Sequence, residues 1–392
     1  MKNLYFSSSS TFPIRKVIQD FRTLSGNILT IYPGEWDSNW DLVTRIATYH
    51  TKMDVSEVGS TWIANLRSIG GIHSFSKPEI ERLGGKSAFL PASWNSCISP
   101  ADQQIWSIPW TVDTRFIFYR RNILEQAGID ATTAFDSDAA FKNTLQAIQD
   151  AGIANPLAIP TSRTRMVLHS AASWVWGAGG DFITSDGGVT LIDMPESMAG
   201  FYQYFELARF LNAETRQISG EQSDMCFTQG KAAVAISGPW LLRQAAGTLE
   251  ESANIGVHTL PGVPFVGGSN LVIWNQSISI AASVELIGFL TSAQFQSAYF
   301  SDTGYLPSRM DVLSSPLYSH SLWYNALSDP LQKGRSFLPL RLWGKVEDSL
   351  CQAIHLTWDD IFNSTDTDYH AIVERNLKLI GRRLNMTLSS ST

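Results

Sequence analysis

The first apolar cluster of the chain, in NLYFSSSS from Asn3, runs into a serine tract and reads as a short strand ending in a polar loop. The spacing then changes. In PIRKVIQDFRTLSG the apolar residues Ile14, Val17, Ile18 and Phe21 share one helical stripe, and the pattern stops near Gly26. NILTIYPGEW predicts a second strand, WDLVTRIATYH a second helix and MDVSEVGS a third strand. Strand and helix alternating in this way predict a parallel sheet flanked by helices. Because the first strand opens at about Asn3, a complete lobe starting at Met1 is expected.

The alternation breaks at IPWTVDTRFIFYRR, residues 108–121, where Pro109 and Trp110 read as a segment crossing from one lobe to another and Arg115 to Tyr119 as a new strand. The helix NILEQAGI follows, closed by Gly128. LPGVPFVGGSN, residues 260–270, holds two prolines and three glycines before the strand-like LVIW and reads as a return crossing. ASVELIGFLTSAQFQSAYF reads as a helix, and SDTGYLPSR after it, with Gly304 and Pro307, as a third crossing. Three crossings predict two discontinuous α/β lobes. The first is expected over 1–110 plus 265–302 and the second over 111–264 plus 303–392, with hinges near 108–113, 260–268 and 302–309.

A length of 392 residues suits two lobes better than one small core. The formal net charge of −7 disfavours a nucleic-acid binder, whose affinity rests on clustered Lys and Arg. Thirteen tryptophans are the one compositional oddity, and many stand beside Gly, Pro, Ser or Asp, which suggests a recognition surface as well as core filling. Cys97, Cys226 and Cys351 are far apart and show no C-x-x-C spacing, so neither a disulfide framework nor a zinc site is expected. No window is apolar for long enough to cross a bilayer. The start, MKNLYFSSSSTFPIRK, lacks the apolar stretch of a secretory signal; either the export information is missing from this chain or the protein stays inside the cell.

Motifs for bond-breaking chemistry are incomplete. GGKSAF lacks the first glycine of a phosphate loop, with Ile80 in its place. The seven histidines never fall at i, i+4 and no H-E-x-x-H occurs, so no metal is expected. AISGPW is not a nucleophile elbow, because Ala235 stands where a glycine is needed. Nothing singles out the pair of carboxylates that a glycosidase requires among 36 acidic residues.

Four segments, in order, carry a family likeness: DVSEVGSTWIANL (Asp54 to Leu66), IPWTVDTRFIFYRRNILEQAGI (Ile108 to Ile129), FTQGKAAVAISGPW (Phe227 to Trp240) and IGFLTSAQFQSAYFSDTGYLPSR (Ile287 to Arg309). Together they resemble the extracellular solute-binding proteins of ABC transporters, in the carbohydrate-binding group that includes the maltose and trehalose/maltose binders. The resemblance implies a two-lobed type II periplasmic-binding-protein-like fold, each lobe a mainly parallel sheet flanked by helices. It implies a monomeric receptor that closes on a di- or oligosaccharide by hinge rotation and presents it to an ABC transporter permease if exported. It implies a periplasmic or extracellular location, no cofactor, no metal and no catalysis. A cytoplasmic sugar-sensing or regulatory protein of the same fold, a carbohydrate-active enzyme and a receptor for a non-sugar polar solute are the other readings.

The resemblance also nominates residues. Gly238 allows a close backbone approach, Ser237 and Pro239 suit a helix start, and Trp240 then offers a flat apolar face, which the C–H side of a pyranose fits. Trp62 resembles the family's first-lobe aromatic and Asp113 an acid that accepts sugar hydroxyls. Trp343 resembles a late aromatic, with Arg341 nearby as a fork for a hydroxyl or carboxylate. Ser9, in the serine run, and Glu35 and Trp36, in EWDSNW, follow strands where open α/β sheets bind ligands. Ser269 and Asn270 stand in a glycine-rich return loop, Trp176 in a second-lobe helix and Tyr305 in the third crossing. Each has a plainer reading: an inter-lobe packing ring for Trp240, a turn residue for Asp113, a surface ion pair for Arg341 and loop polarity for the serines and EWDSNW. The chain departs from some relatives at Gly59, where they carry an acid, and this leaves the particular sugar open.

Overall fold

The computed structural model describes residues 1–9, 13–34, 36–49, 51–100, 102–241, 244, 253–303, 306–316, 326, 333–365 and 368–389, without the side chains of 36–41 and 299–303. Its strands in chain order are β1 (Asn3–Ser8), β2 (Ile28–Pro33), β3 (Val55–Gly59), β4 (Ile108–Thr114), β5 (Phe116–Arg120), β6 (Leu157–Ala158), β7 (Val234–Ser237), β8 (Ile255–Thr259), β9 (Val266–Ile273) and β10 (Leu306–Pro307). The chain divides into two compact units, one of Met1–Asp113, Val266–Ser321 and Ser336–Gly344, the other of Thr114–Phe265, Leu322–Arg335 and Lys345–Thr392.

The first unit holds a six-stranded sheet in the order β10-β4-β9-β3-β1-β2. β1 pairs in parallel with β2 and β3, as the strand–helix alternation predicts, but β9 runs antiparallel to β3 and β10 antiparallel to β4. The sheet is therefore mixed rather than mainly parallel. Leu4 and Phe6 of β1 and Val17 and Phe21 of the Ile14–Ser25 helix enter one core with Trp110, Leu271 and Leu286. Trp110 lies inside β4, edge-on to Phe6 at 5.7 Å between ring centroids, so Pro109–Trp110 is strand, and the division between the two units falls just after it, between Asp113 and Thr114. β9 likewise begins at Val266, inside the glycine-rich stretch read as a loop. Gly268 explains how: its φ is +132°, and a Cβ there would stand 2.1 Å from the Thr111 carbonyl oxygen. Only glycine lets the two backbones come that close.

The run ASVELIGFLTSAQFQSAYF forms two helices, Ile280–Leu290 and Ala293–Thr303. Ser292 separates them, its hydroxyl accepting from the Phe295 N–H at 3.2 Å as a start signal for the second. The expected division assigned 303–392 to the second lobe. Leu306 and Pro307 instead pair with Val112 and Thr111 in the first sheet and Ser336–Gly344 also falls in the first unit, whereas Lys345–Thr392 lies in the second. Gly288 lies within the Ile280–Leu290 helix and the nearest atom to a Cβ built on it is a Leu83 methyl at 3.4 Å. Gly288→Ala should raise stability by up to about 1 kcal/mol, seen as a higher urea midpoint with an unchanged slope.

The second unit holds a four-stranded sheet, β6-β7-β5-β8. β5 reads FIFYR because it is central: Phe116, Ile117 and Phe118 are fully buried, with β7 and β8 antiparallel on its two sides. The helices Arg165–Gly177 and Pro195–Phe205 pack against each other, and Trp358 lies edge-on to Tyr204 and Phe205. Here too the pairing is mixed, since only β6 and β7 run parallel.

Candidate functional site

β7 carries the residues that lead to Trp240. Its register against β5 pairs Ser237 with Phe116, which brings Arg115, one residue earlier, alongside Gly238. The Trp240 ring folds back over Gly238 so closely that a Cβ at that glycine would stand 2.1 Å from the indole carbons. The requirement for glycine before Pro239 is thus steric. The indole is held from two directions. Its Nε1–H donates to Asp224 Oδ2 at 2.9 Å, and the Arg115 guanidinium carbon lies 5.2 Å from the ring centroid. Asp224 is delivered by the Gly220–Thr228 helix, whose start is fixed by a reciprocal capping box between Ser219 and Gln222. Ser237, expected as a cap, is instead buried within β7, and its hydroxyl makes no capping bond.

Arg115 is 2 % exposed. Its guanidinium donates to the Thr114 carbonyl at 3.3 Å and to His169 Nδ1 at 3.1 Å, and lies 6.0 Å from the Phe265 ring. Arginine is only a donor, so Nδ1 accepts and the His169 proton sits on Nε2. That nitrogen is 3.9 Å from Oε1 of the fully buried Glu347, whose other oxygen receives Arg165 Nε at 3.2 Å. His169 also stacks on Phe265 at 4.2 Å between centroids. Arg115, Phe265, His169 and Glu347 form one continuous, mostly buried set that ends at Trp240, which itself keeps partial exposure.

Burial pushes the Asp224 carboxyl above its ordinary value of 3.8; the adjacent Ser237 hydroxyl, the Trp240 indole and the Arg115 charge offset this in part. The folded state holds this proton more tightly than the unfolded chain does. The stabilisation from Asp224 is therefore complete below 3.8 and is lost as pH rises through the raised folded value. Asp224→Asn should remove this downward component from a plot of urea midpoint against pH. An identical slope in both proteins would rule the effect out.

Trp176 is also in the second unit, on the Arg165–Gly177 helix, and is 4 % exposed. Its Nε1–H donates to Asp181 Oδ1 at 3.1 Å, and Arg335, bound to Asp181 Oδ2 at 2.7 Å, lies over its ring at 4.8 Å. Both its polar edge and one face are thus engaged within the unit.

In the first unit the carboxyl ends of β1 and β3 lie side by side. Ser8 Oγ and the Ser9 N–H both donate to Glu57 Oε2, at 2.6 and 3.0 Å. Glu57 was not singled out in the sequence; the signal available was a charged residue inside the buried strand VSEVG. Trp62 lies in a core cluster with Val43, Ile46 and Trp274, its ring against Gly59, where a Cβ would be 3.0 Å away. The departure at Gly59 therefore has a local cause: it makes room for that ring. Ser269 bonds Thr111 Oγ1 at 2.7 Å, and Asn270 donates to Ser96 and Ser107 at 3.1 and 3.2 Å, all buried. Trp343 is buried in a stack on Phe337 at 4.6 Å, Arg341 is exposed and Asp113 is half-buried at the end of β4. Trp36 opens the Trp36–Tyr49 helix, with its side chain outside the described residues, as are Glu35 and Tyr305 altogether.

Among the described residues no group of three metal-ligating side chains occurs, and no helix is long and apolar enough to cross a membrane. The model of the bacterial extracellular solute-binding protein family matches residues 16–322, most of the chain, and the chain belongs to that family. No curated protein matches significantly in sequence. Solved structures match in fold. The GacH receptor of Streptomyces glaucescens, solved unliganded and with acarbose, has a TM-score of 0.83 at 18% identity, covering 98% of each chain. An ABC transporter solute-binding protein of Thermotoga lettingae bound to α-D-tagatose has 0.84 at 17%, covering 99% of each chain. Maltose-bound T. maritima MalE3 has 0.81 at 21%, over 97% of this chain and 100% of that one. These place the chain in the two-domain fold of the type II periplasmic binding proteins.

Proposed function

We propose that this solute-binding protein is a receptor for a carbohydrate, a di- or oligosaccharide, which it delivers to an ABC transporter outside the cytoplasm, without breaking any bond in it. The observation that carries the reading is Trp240: a partly exposed indole whose N–H donates to Asp224, so that the ring rather than a donor is what it would offer a ligand. A pyranose presents C–H groups on one side and hydroxyls around its rim, so a fixed ring plus surrounding polar side chains suits it. The similar proteins are solved with acarbose, maltose and tagatose bound, which supports a sugar over other polar solutes. A few stacked and hydrogen-bonded contacts reach micromolar affinity, about −8 kcal/mol.

Of the nominated first-unit residues, Asp113 and the Ser9 segment are the ones proposed to meet hydroxyls. Trp62, Trp343, Ser269 and Asn270 are better explained as packing and framework. Titration calorimetry with mono-, di- and trisaccharides, polyols and amino acids tests the reading. A sugar should bind in the micromolar range and lower the radius of gyration in solution scattering, as domain closure requires. Binding confined to amino acids or polyols, or turnover of the sugar, would overturn it.

A further inference from the structure

We infer that Asp224 and Arg115 are positioning residues that hold Trp240 as a pre-set stacking plate, one engaging its indole N–H and the other backing its ring. The inference rests on the sugar-receptor reading for its purpose but on independent geometry for its existence. A tryptophan in an unclamped turn samples several χ1 and χ2 states, and a ligand that stacks on it must first select one. Here three constraints leave one orientation. Gly238 lies under the ring, at a separation that a Cβ would fill. Asp224 Oδ2 accepts the indole N–H at 2.9 Å. The Arg115 guanidinium lies 5.2 Å from the ring centroid and is itself immobilised by Thr114, His169 and Phe265.

The arrangement also dictates what Trp240 offers. With its one donor engaged by Asp224, the indole contributes a face and no hydrogen bond, so discrimination among sugars falls to other side chains. An Arg115 cation behind the ring is itself fixed by buried neighbours, so the plate does not yield when a ligand presses on it.

The test uses the full chain with 5-fluorotryptophan and ¹⁵N labels, Trp240 being assigned through Trp240→Phe, and maltotriose as the sugar probe. In the wild-type protein the Trp240 indole proton should exchange with solvent at least about tenfold more slowly than a free indole. Asp224→Ala should abolish that protection and weaken maltotriose binding about tenfold, whereas Asp224→Asn, which keeps an acceptor oxygen, should restore both. Arg115→Met should move or split the Trp240 fluorine resonance and weaken binding severalfold with the indole proton still protected. Free exchange in the wild-type protein, or a fluorine signal and affinity indifferent to Asp224→Ala, would overturn the inference. If Asp224→Ala does not fold, the wild-type exchange rate and the Asp224→Asn and Arg115→Met spectra still decide it. A protein that protects the indole but binds neither maltotriose nor any other sugar would fail the sugar reading alone.

Discussion

Trp240→Ala is expected to weaken sugar binding by at least about tenfold while leaving the fold intact, because a stacked ring contributes on the order of 1 kcal/mol or more. The side chain stands beyond the carboxyl end of β7 and is partly exposed: β5 and β7 pair through Phe116 and Ser237, before the ring is reached. Truncation therefore removes a surface rather than a keystone. It does leave Asp224 Oδ2 without the indole N–H, a cost that the urea midpoint will register separately from affinity. Trp240→Phe gives the complementary reading. It keeps an aromatic face but has no N–H for Asp224, so its affinity should fall between wild type and Trp240→Ala. If calorimetry finds the alanine protein binding as tightly as the wild type, Trp240 is not part of the site.

The alternation of strand and helix was legible in the first sixty residues because β1 and β2 are each followed by a helix of twelve or more residues before β3 begins. Later strands were harder. β4 contains a proline and β9 two adjacent glycines, both ordinary marks of a loop, and only the close passage of Gly268 against Thr111 shows why a strand tolerates them. β10 is two residues long and carries no pattern at all; its place in the first sheet is a long-range pairing. The site divides in the same way. Trp240 was singled out because Gly-Pro-Trp is a local signal. Arg115, Asp224 and His169 come together only through the β5–β7 register and the packing of two helices, so no spacing in the chain links them. Trp62 and Trp343 show the converse: an aromatic in a suggestive segment is as readily a core residue, and burial, which the local pattern does not encode, decides which.

The largest stability effect should come from a substitution far from Trp240. Gly200 sits where the Pro195–Phe205 helix crosses the Arg165–Gly177 helix, and a Cβ on it would stand 2.4 Å from the Val175 Cα and 2.6 Å from the Trp174 carbonyl oxygen. Those are backbone atoms of a regular helix, so no side-chain rotation relieves the overlap; the helices must move apart. Separation would strip contacts from Trp174, which is almost wholly buried, against Tyr204 on the facing helix. Gly200→Val should therefore cost about 3 kcal/mol or more, well above the ordinary penalty of a core substitution and opposite in sign to Gly288→Ala. The displaced helix also carries His169, which contacts Arg115, so loosening at Gly200 should reach the guanidinium behind Trp240. In the folded fraction of the variant the Trp240 fluorine resonance should broaden. A Gly200→Val protein with the wild-type urea midpoint would mean that the two helices are not in the close contact described, and the path from that crossing to the stacking plate would go with it.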